Sequence, residues 1–371
     1  MKRKHLEKKK RGTVREKDWE NLHETAFSRD LVKHRRALGK LSEQAVAAAQ
    51  SALPQDFTPN ATLISHAKKW AFVQMDETAA EGGGDLLCLI DERLREEEDS
   101  LLASGDRVYV EFEEGDAFIR GVGPRRTTLG RPAGAHDRIK RQILAANADL
   151  LLVVAAAANP PFRPGLVDRF LIAAEVGGVE PVLCLNKADL AEGEPEGLAI
   201  YRGLGVRVCV TSCKTGQGIE ALRGILGGRF TVLSGHSGVG KSTLLNMLDP
   251  ELTIHTQEVS TSLRGRHTTT LARLYELHGG IRVIDTPGIR TLGLWRVSAE
   301  EVAYYFPEMA AMATECHFRN CTHIHEPQCA VRTAVERGEI ARGRYESYTR
   351  IRASLESETG TTPGRMRVQK G

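Results

Sequence analysis

The residues best suited to chemistry fall into two short clusters whose order is unusual. Gly235-His236-Ser237-Gly238-Val239-Gly240-Lys241-Ser242-Thr243 has the spacing of a phosphate-binding loop. Its glycines let successive backbone N–H groups converge on phosphate oxygens, and the helix expected after it adds partial positive charge. Lys241 is placed to reach the β- and γ-phosphates, and the Ser242 hydroxyl to bind Mg²⁺. Asn186-Lys187-Ala188-Asp189 has the residue types of a guanine reader, yet it precedes that loop. The Asp189 carboxylate can accept from the guanine N1–H and exocyclic amine, a donor pair that adenine lacks. Asn186 would tie this loop to the base or to the phosphate loop, and the Lys187 stem would cover one base face. Ser212-Cys213-Lys214, within Thr211 to Gly216, reads as a further loop closing over the base. GTP and GDP are the expected ligands. Most GTPases place the phosphate loop first, so this order implies a circular permutation, which a compact domain with neighbouring termini tolerates.

Asp285-Thr286-Pro287-Gly288 follows an apolar run and suits an aspartate holding Mg²⁺ through water, with the Gly288 amide sensing the γ-phosphate. Between the two sites lies Arg264-Gly265-Arg266-His267-Thr268-Thr269-Thr270. A threonine there would coordinate Mg²⁺ while the γ-phosphate is present, giving a loop that orders and releases. Ile289 stands where a glutamine often orients the attacking water, so slow intrinsic hydrolysis is expected. His267 is the candidate to position or deprotonate that water.

Cys316-x₄-Cys321-x-His323-x₅-Cys329 offers three thiolates and an imidazole, a closed tetrahedral set for structural Zn²⁺. His317 and His325 are alternative imidazoles. Such a site would fix a short segment and present Arg319, Arg332 and Arg337 to RNA.

These motifs need elements to position them. Short β-like runs near Ala61–Ser65, Trp70–Met75, Leu86–Asp91, Arg107–Phe112 and Phe118–Val122 suit a small barrel of the oligonucleotide-binding (OB) type. Apolar runs at Leu150–Ala156, Pro181–Leu185, Val206–Thr211, Arg229–Leu233 and Ile281–Ile284 alternate with helical patterns, among them Leu166–Val176 and Gly240–Leu248. That alternation predicts a parallel sheet covered on both faces, with ligands at the carboxyl ends of its strands. The resulting division is a basic extension over 1–58, a barrel over 59–125, a permuted nucleotide domain over 126–297 and a zinc-binding helical domain over 298–371.

Composition narrows the classes. The chain has 371 residues, 41% hydrophobic and 27% charged, a balance that argues against global disorder. The net charge of +3 is uneven, for Met1–Lys40 carries about 14 basic and about 6 acidic residues, roughly +8. Glu16–Glu24 is polar where a secretory signal needs an apolar stretch, and Leu150–Ala158 is too short to span a bilayer. With Cys88, Cys184, Cys209 and Cys213 reading as reduced core thiols, a cytoplasmic protein with no membrane association is expected.

The permuted order, the Gly265–Thr270 and Asp285–Gly288 segments and the cysteine spacing together resemble the circularly permuted, ribosome-small-subunit-dependent GTPase family (RsgA, also called YjeQ or EngC). The likeness runs from about Ala61 to the C-terminal helices. It implies an α/β protein with an N-terminal OB-like β-barrel, a circularly permuted P-loop GTPase domain and a C-terminal helical zinc-binding domain. It implies His323 as the fourth zinc ligand, Thr269 as the switch threonine and a catalytic part for His267. The activity implied is GTP hydrolysis in late maturation of the 30S subunit and its 16S rRNA, by a monomer. A rival reading is an RNA-binding checkpoint or scaffold in which hydrolysis is incidental; another is a GTPase serving a different RNA.

Overall fold

Alternation of apolar and polar residues closes the first unit into a barrel. The computed structural model describes residues 58–67, 69–76, 85–95, 102–133, 140–251, 273–285, 294 and 297–358. Outside them lie nearly all of the basic extension, the 264–270 segment with His267 and Thr269, and residues 286–289. Strands β1 (Ala61–His66), β2 (Trp70–Met75), β3 (Asp85–Ile90), β4 (Arg107–Glu113) and β5 (Asp116–Val122) pair in the order β1-β2-β3-β5-β4. Successive side chains face opposite ways in a strand, so Leu63, Val73, Cys88, Ile90, Val108 and Ile119 fill the interior. Every expected barrel strand is present within a residue or two. A two-stranded ribbon, β6 (Thr128–Ala133) with β7 (Lys140–Ala146), follows it. Strand patterning misses this ribbon because Gly130 and Pro132 lower its β propensity.

The central sheet orders its six strands β10-β9-β8-β11-β13-β12. Along the chain run β8 (Leu150–Ala156), helix α1 (Pro164–Gly177), β9 (Glu180–Asn186), α2 (Leu198–Gly203) and β10 (Arg207–Val210). After them come α3 (Ile219–Leu226), β11 (Phe230–Gly235), α4 (Lys241–Leu248), β12 (Arg273–Leu277) and β13 (Ile281–Asp285). Both faces of the sheet are covered. Leu150, Leu152 and Val154 join the core under α3 and α4, while Leu151 and Val153 join the core under α1. One expectation needs correcting: the sheet is mixed, because edge strand β12 runs antiparallel to β13. The turn His278-Gly279-Gly280 is too short for the crossover that a parallel pair requires, and both glycines have positive φ.

The barrel meets the amino ends of β8 and β11, opposite the loops expected to bind ligand. Gly105 lies so close that a Cβ there would come within 2.2 Å of the Ala146 carbonyl and 2.5 Å of the Phe230 ring. Arg125 Nε donates to the buried Asp106 carboxylate at 2.6 Å, and Asn147 Nδ2 donates to the Gly105 carbonyl at 3.0 Å. At the sheet edge, Gln74 Nε2 of β2 donates to Glu276 of β12 at 2.7 Å. The C-terminal helices α5 (Pro307–Ala313), α6 (Ala330–Glu336) and α7 (Arg342–Glu358) pack on the α1 side. There Phe306, Met309, Val331 and Tyr348 share one apolar cluster with Phe170, Val167 and Leu183.

Candidate nucleotide site and metal centre

The phosphate loop joins β11 to α4, as its sequence requires. Gly235, Gly238 and Gly240 have φ of 142°, 79° and 95°. At Gly235 a Cβ would approach the Val154 carbonyl to 2.2 Å, so the side chain is excluded by packing as well as by backbone conformation. Lys241 Nζ crosses the loop and donates to the carbonyls of Gly235 at 2.8 Å and His236 at 3.0 Å. That position holds a cation at the loop centre, where phosphate oxygens converge. Ser242 and Thr243 open α4. Asp285 ends β13 opposite Leu233, which brings its backbone to the loop's edge of the sheet.

The motif that comes earlier in the chain stands beside this loop in space. β9 and β11 both flank β8, so their carboxyl ends lie two strands apart. Asn186 is buried at the end of β9, and its Nδ2 donates to the Val239 carbonyl at 2.9 Å. The same amide lies 2.5 Å from where a Cβ on Gly240 would stand. Asn186 thus ties the carboxyl end of β9 to the phosphate loop, one of its two expected roles. Its Oδ1 accepts from Thr211 Oγ1 at 3.2 Å and faces Cys213 Sγ at 3.5 Å. Lys187 adopts the left-handed conformation at φ 59°, and its ammonium donates to the Asn159 carbonyl in the loop before α1.

Asp189 is exposed, and one carboxylate oxygen accepts from Ser212 Oγ at 2.6 Å. Ser212 Oγ in turn accepts from the Thr215 amide at 3.2 Å. The predicted loops 186–189 and 212–214 therefore meet, with Asp189 already oriented. Two thiols nearby are inert: Cys184 and Cys209 are buried, and burial pushes Cys184 up to about 12. Cys213 is half-buried: it packs against the core under α3 and α4 and also lies in the 212–214 loop.

The C-terminal cluster also assembles. The ligand atoms of Cys316, Cys321, His323 and Cys329 all lie within 4.8 Å of one another. His323 Nδ1 is 3.5 Å from the sulfurs of Cys316 and Cys329, which are 3.9 Å apart. Metal–sulfur bonds of about 2.3 Å in a tetrahedron separate sulfurs by roughly 3.8 Å, so the donor set fits zinc. His323 is buried in this group; His317 instead stacks edge-on with Phe318, and His325 is exposed. Burial and the neighbouring sulfurs push the Cys321 thiol up to about 12, a shift that a divalent ion reverses.

Sequence reasoning missed what holds this cluster. Glu326 accepts from the Thr322 amide at 2.8 Å, the Thr322 hydroxyl at 2.6 Å and the amides of Ile324 and His325 at 3.3 Å. Burial opposes its charge, yet these bonds bring it down to about 2. From α7, Tyr345 and Tyr348 donate to the carbonyls of His323 at 2.7 Å and Thr322 at 2.6 Å. Arg344, also on α7, donates to Asp168 of α1 at 2.6 Å and to Glu308 of α5 at 2.6 and 3.1 Å. Its guanidinium lies 4.3 Å from the centre of the Phe306 ring, and Tyr201 donates to the same Asp168 oxygen at 2.8 Å.

Comparison with known proteins agrees with this geometry. A family profile described as the RsgA GTPase matches residues 122–295. A protein from Gemmatimonas aurantiaca named small ribosomal subunit biogenesis GTPase RsgA is 44% identical over 263 residues, covering 68% of this chain and 84% of that one. A Moorella thermoacetica protein of the same name is 42% identical over 271 residues, covering 72% and 89%. Among solved structures, YjeQ from Thermotoga maritima superposes with a TM-score of 0.61 at 32% identity over 80% of this chain and 97% of that one. YloQ, described as a circularly permuted GTPase, superposes with a TM-score of 0.61 at 27% identity over 85% of this chain and all of the other.

Proposed function

Because the chain belongs to the RsgA GTPase family, we propose that it hydrolyses GTP to GDP during late maturation of the small ribosomal subunit, is stimulated by that subunit, and then leaves it. The observation carrying this reading is the Asn186–Val239 hydrogen bond, which joins a guanine reader to a phosphate loop despite their reversed chain order.

In this reading Asp189 recognises the base, steadied by Ser212, while Cys213 and Lys214 close over it. Backbone amides from His236 to Thr243 and the Lys241 ammonium hold the phosphates. Ser242, Asp285 and Thr269 would hold Mg²⁺, which supplies charge neutralisation on the phosphates. Gly288 senses the γ-phosphate, and His267 orients the attacking water. Cys316, Cys321, His323 and Cys329 hold a structural zinc ion, and the helices around it face 16S rRNA. The limits 59–125, 126–297 and 298–371 are the working domains, in a monomeric protein of the cytoplasm. Among the described residues no helix is long and apolar enough to cross a membrane.

Steady-state hydrolysis by the purified chain, alone and with small or large ribosomal subunits, tests the proposal. Stimulation by the small subunit only is expected; equal rates in all three would favour the scaffold reading and leave the GTP site standing.

A further inference from the structure

Three large apolar side chains stand exposed on the barrel: Leu87 at 55%, Leu89 at 41% and Phe112 at 60%. Leu87 pairs with Phe72, and Leu89 pairs with Trp70 and Phe118, so an apolar stripe crosses β2, β3 and β5. Phe112 lies beside the β4–β5 turn, where Glu113, Glu114 and Asp116 are exposed.

Strand register brings this surface to the place where the preceding chain enters. β4 runs antiparallel to β1, with Val108 opposite Ala61, so residues 111–113 project past the first residue of β1. Asn60 bonds the Val110 carbonyl and amide at 2.9 and 2.8 Å, just short of the acidic turn. β3 also begins at this end, since Asp85 pairs with Gln74 next to the Met75–Ala61 pair. Two arginines that reach this end are already engaged: Arg107 by Asp76, and Arg120 by Asp91, Glu111 and Glu113. An apolar surface with an acidic margin repels a phosphate backbone and suits a basic polypeptide carrying apolar anchors.

The chain supplies such a polypeptide itself. Residues 1–57 combine the roughly +8 of Met1–Lys40 with Phe27, Leu31, Val46 and Leu53. Because they join the barrel at Thr58, their effective concentration at this surface is on the order of millimolar, so weak contacts suffice.

We propose that residues 1–57 dock in cis on this end of the barrel. Their lysines and arginines face Glu113, Glu114 and Asp116, and their apolar side chains cover Leu87, Leu89 and Phe112. The acidic turn then competes with RNA phosphate for the same basic segment. The part concerning RNA rests on the small-subunit reading above; the docking does not.

Zero-length carbodiimide coupling of the full-length protein, read by mass spectrometry, tests the docking. Lysines between Lys2 and Lys17 are expected to link to Glu113, Glu114 and Asp116, and to do so within one molecule when ¹⁴N and ¹⁵N protein are mixed. The yield should fall about fivefold or more in high salt; in E114K/D116K, whose GTP hydrolysis should match the wild type, the links to Glu113, which keeps its carboxylate, should fall equally. Links spread without preference for the turn, or unaltered by charge reversal, would overturn the proposal. Mixed-isotope links would overturn it too, and assign the surface to a second copy. Small-subunit stimulation measured alongside would stand or fall separately.

Discussion

In the GTP-binding role proposed for Asp189, the specificity of the site comes down to one carboxylate. It is exposed and held by Ser212, so it loses its hydration only when a base covers it. Asp189→Asn exchanges an acceptor for a mixed group and leaves a guanine donor unmatched. The expected cost is about 2 kcal/mol, roughly 30-fold in GTP affinity measured by titration. Gly240→Ala should fail for a different reason, since its Cβ would collide with the Asn186 amide at a φ of 95°. Loss of GTP binding together with a lower Tm is expected there. A third residue-scale prediction concerns pH. Asp249 is held below its usual value because hydrogen bonds from the His278 amide and ring outweigh burial, and Asp249 in turn raises His278. The Asp249 contribution is complete above about pH 4 and is lost as pH falls through its lowered folded value. The His278 contribution is complete below about pH 6.5 and is lost as pH rises through its raised folded value. The Tm of His278→Gln should therefore decline less than that of wild type between about pH 6 and pH 8. The residues proposed to bind GTP stand out in the sequence because backbone geometry and base chemistry leave few alternatives to Gly235, Lys241 or Asp189. Glu326 was not legible, since a glutamate four residues from Thr322 has no signature until the turn closes around it.

At the scale of elements, the strands and helices that deliver the motifs follow from apolar runs such as Leu150–Ala156, which is buried on both faces. What the sequence left unread are contacts between distant segments. Arg344 and Asp168 lie 176 residues apart, and no local pattern pairs them. Their side chains are 5% and 0% exposed, so Arg344→Ala would strand Asp168 and Glu308 without a counter-charge. A loss of about 3–5 kcal/mol is expected by denaturant unfolding. Replacing all three by apolar residues of similar volume should be far milder, because the arginine's role is to neutralise the two acids. The β6–β7 ribbon and β12 were hidden for a simpler reason: glycine, proline and a short turn dilute the local strand signal.

For the whole molecule, the apolar cluster under α1 includes residues of both the nucleotide-binding sheet and the C-terminal helices. Metal removal should therefore not be a local event. Chelation is expected to lower the Tm of the entire chain, and elemental analysis should find one zinc per protein in the untreated sample. Tyr345→Phe, which leaves the His323 carbonyl without its donor, should weaken zinc retention against a competing chelator by a smaller margin than Cys329→Ser. The shared core also has a consequence in linkage. α7 grips the metal loop through Tyr345 and Tyr348, and it grips α1 through Arg344. The loop leading into α1 accepts the Lys187 ammonium beside the proposed guanine reader. If occupancy of either site firms this connected body, each ligand must favour the other by the same factor. GTP should slow zinc loss to a chelator, and zinc loading should tighten GTP, so the two equilibrium measurements check each other without any ribosome present.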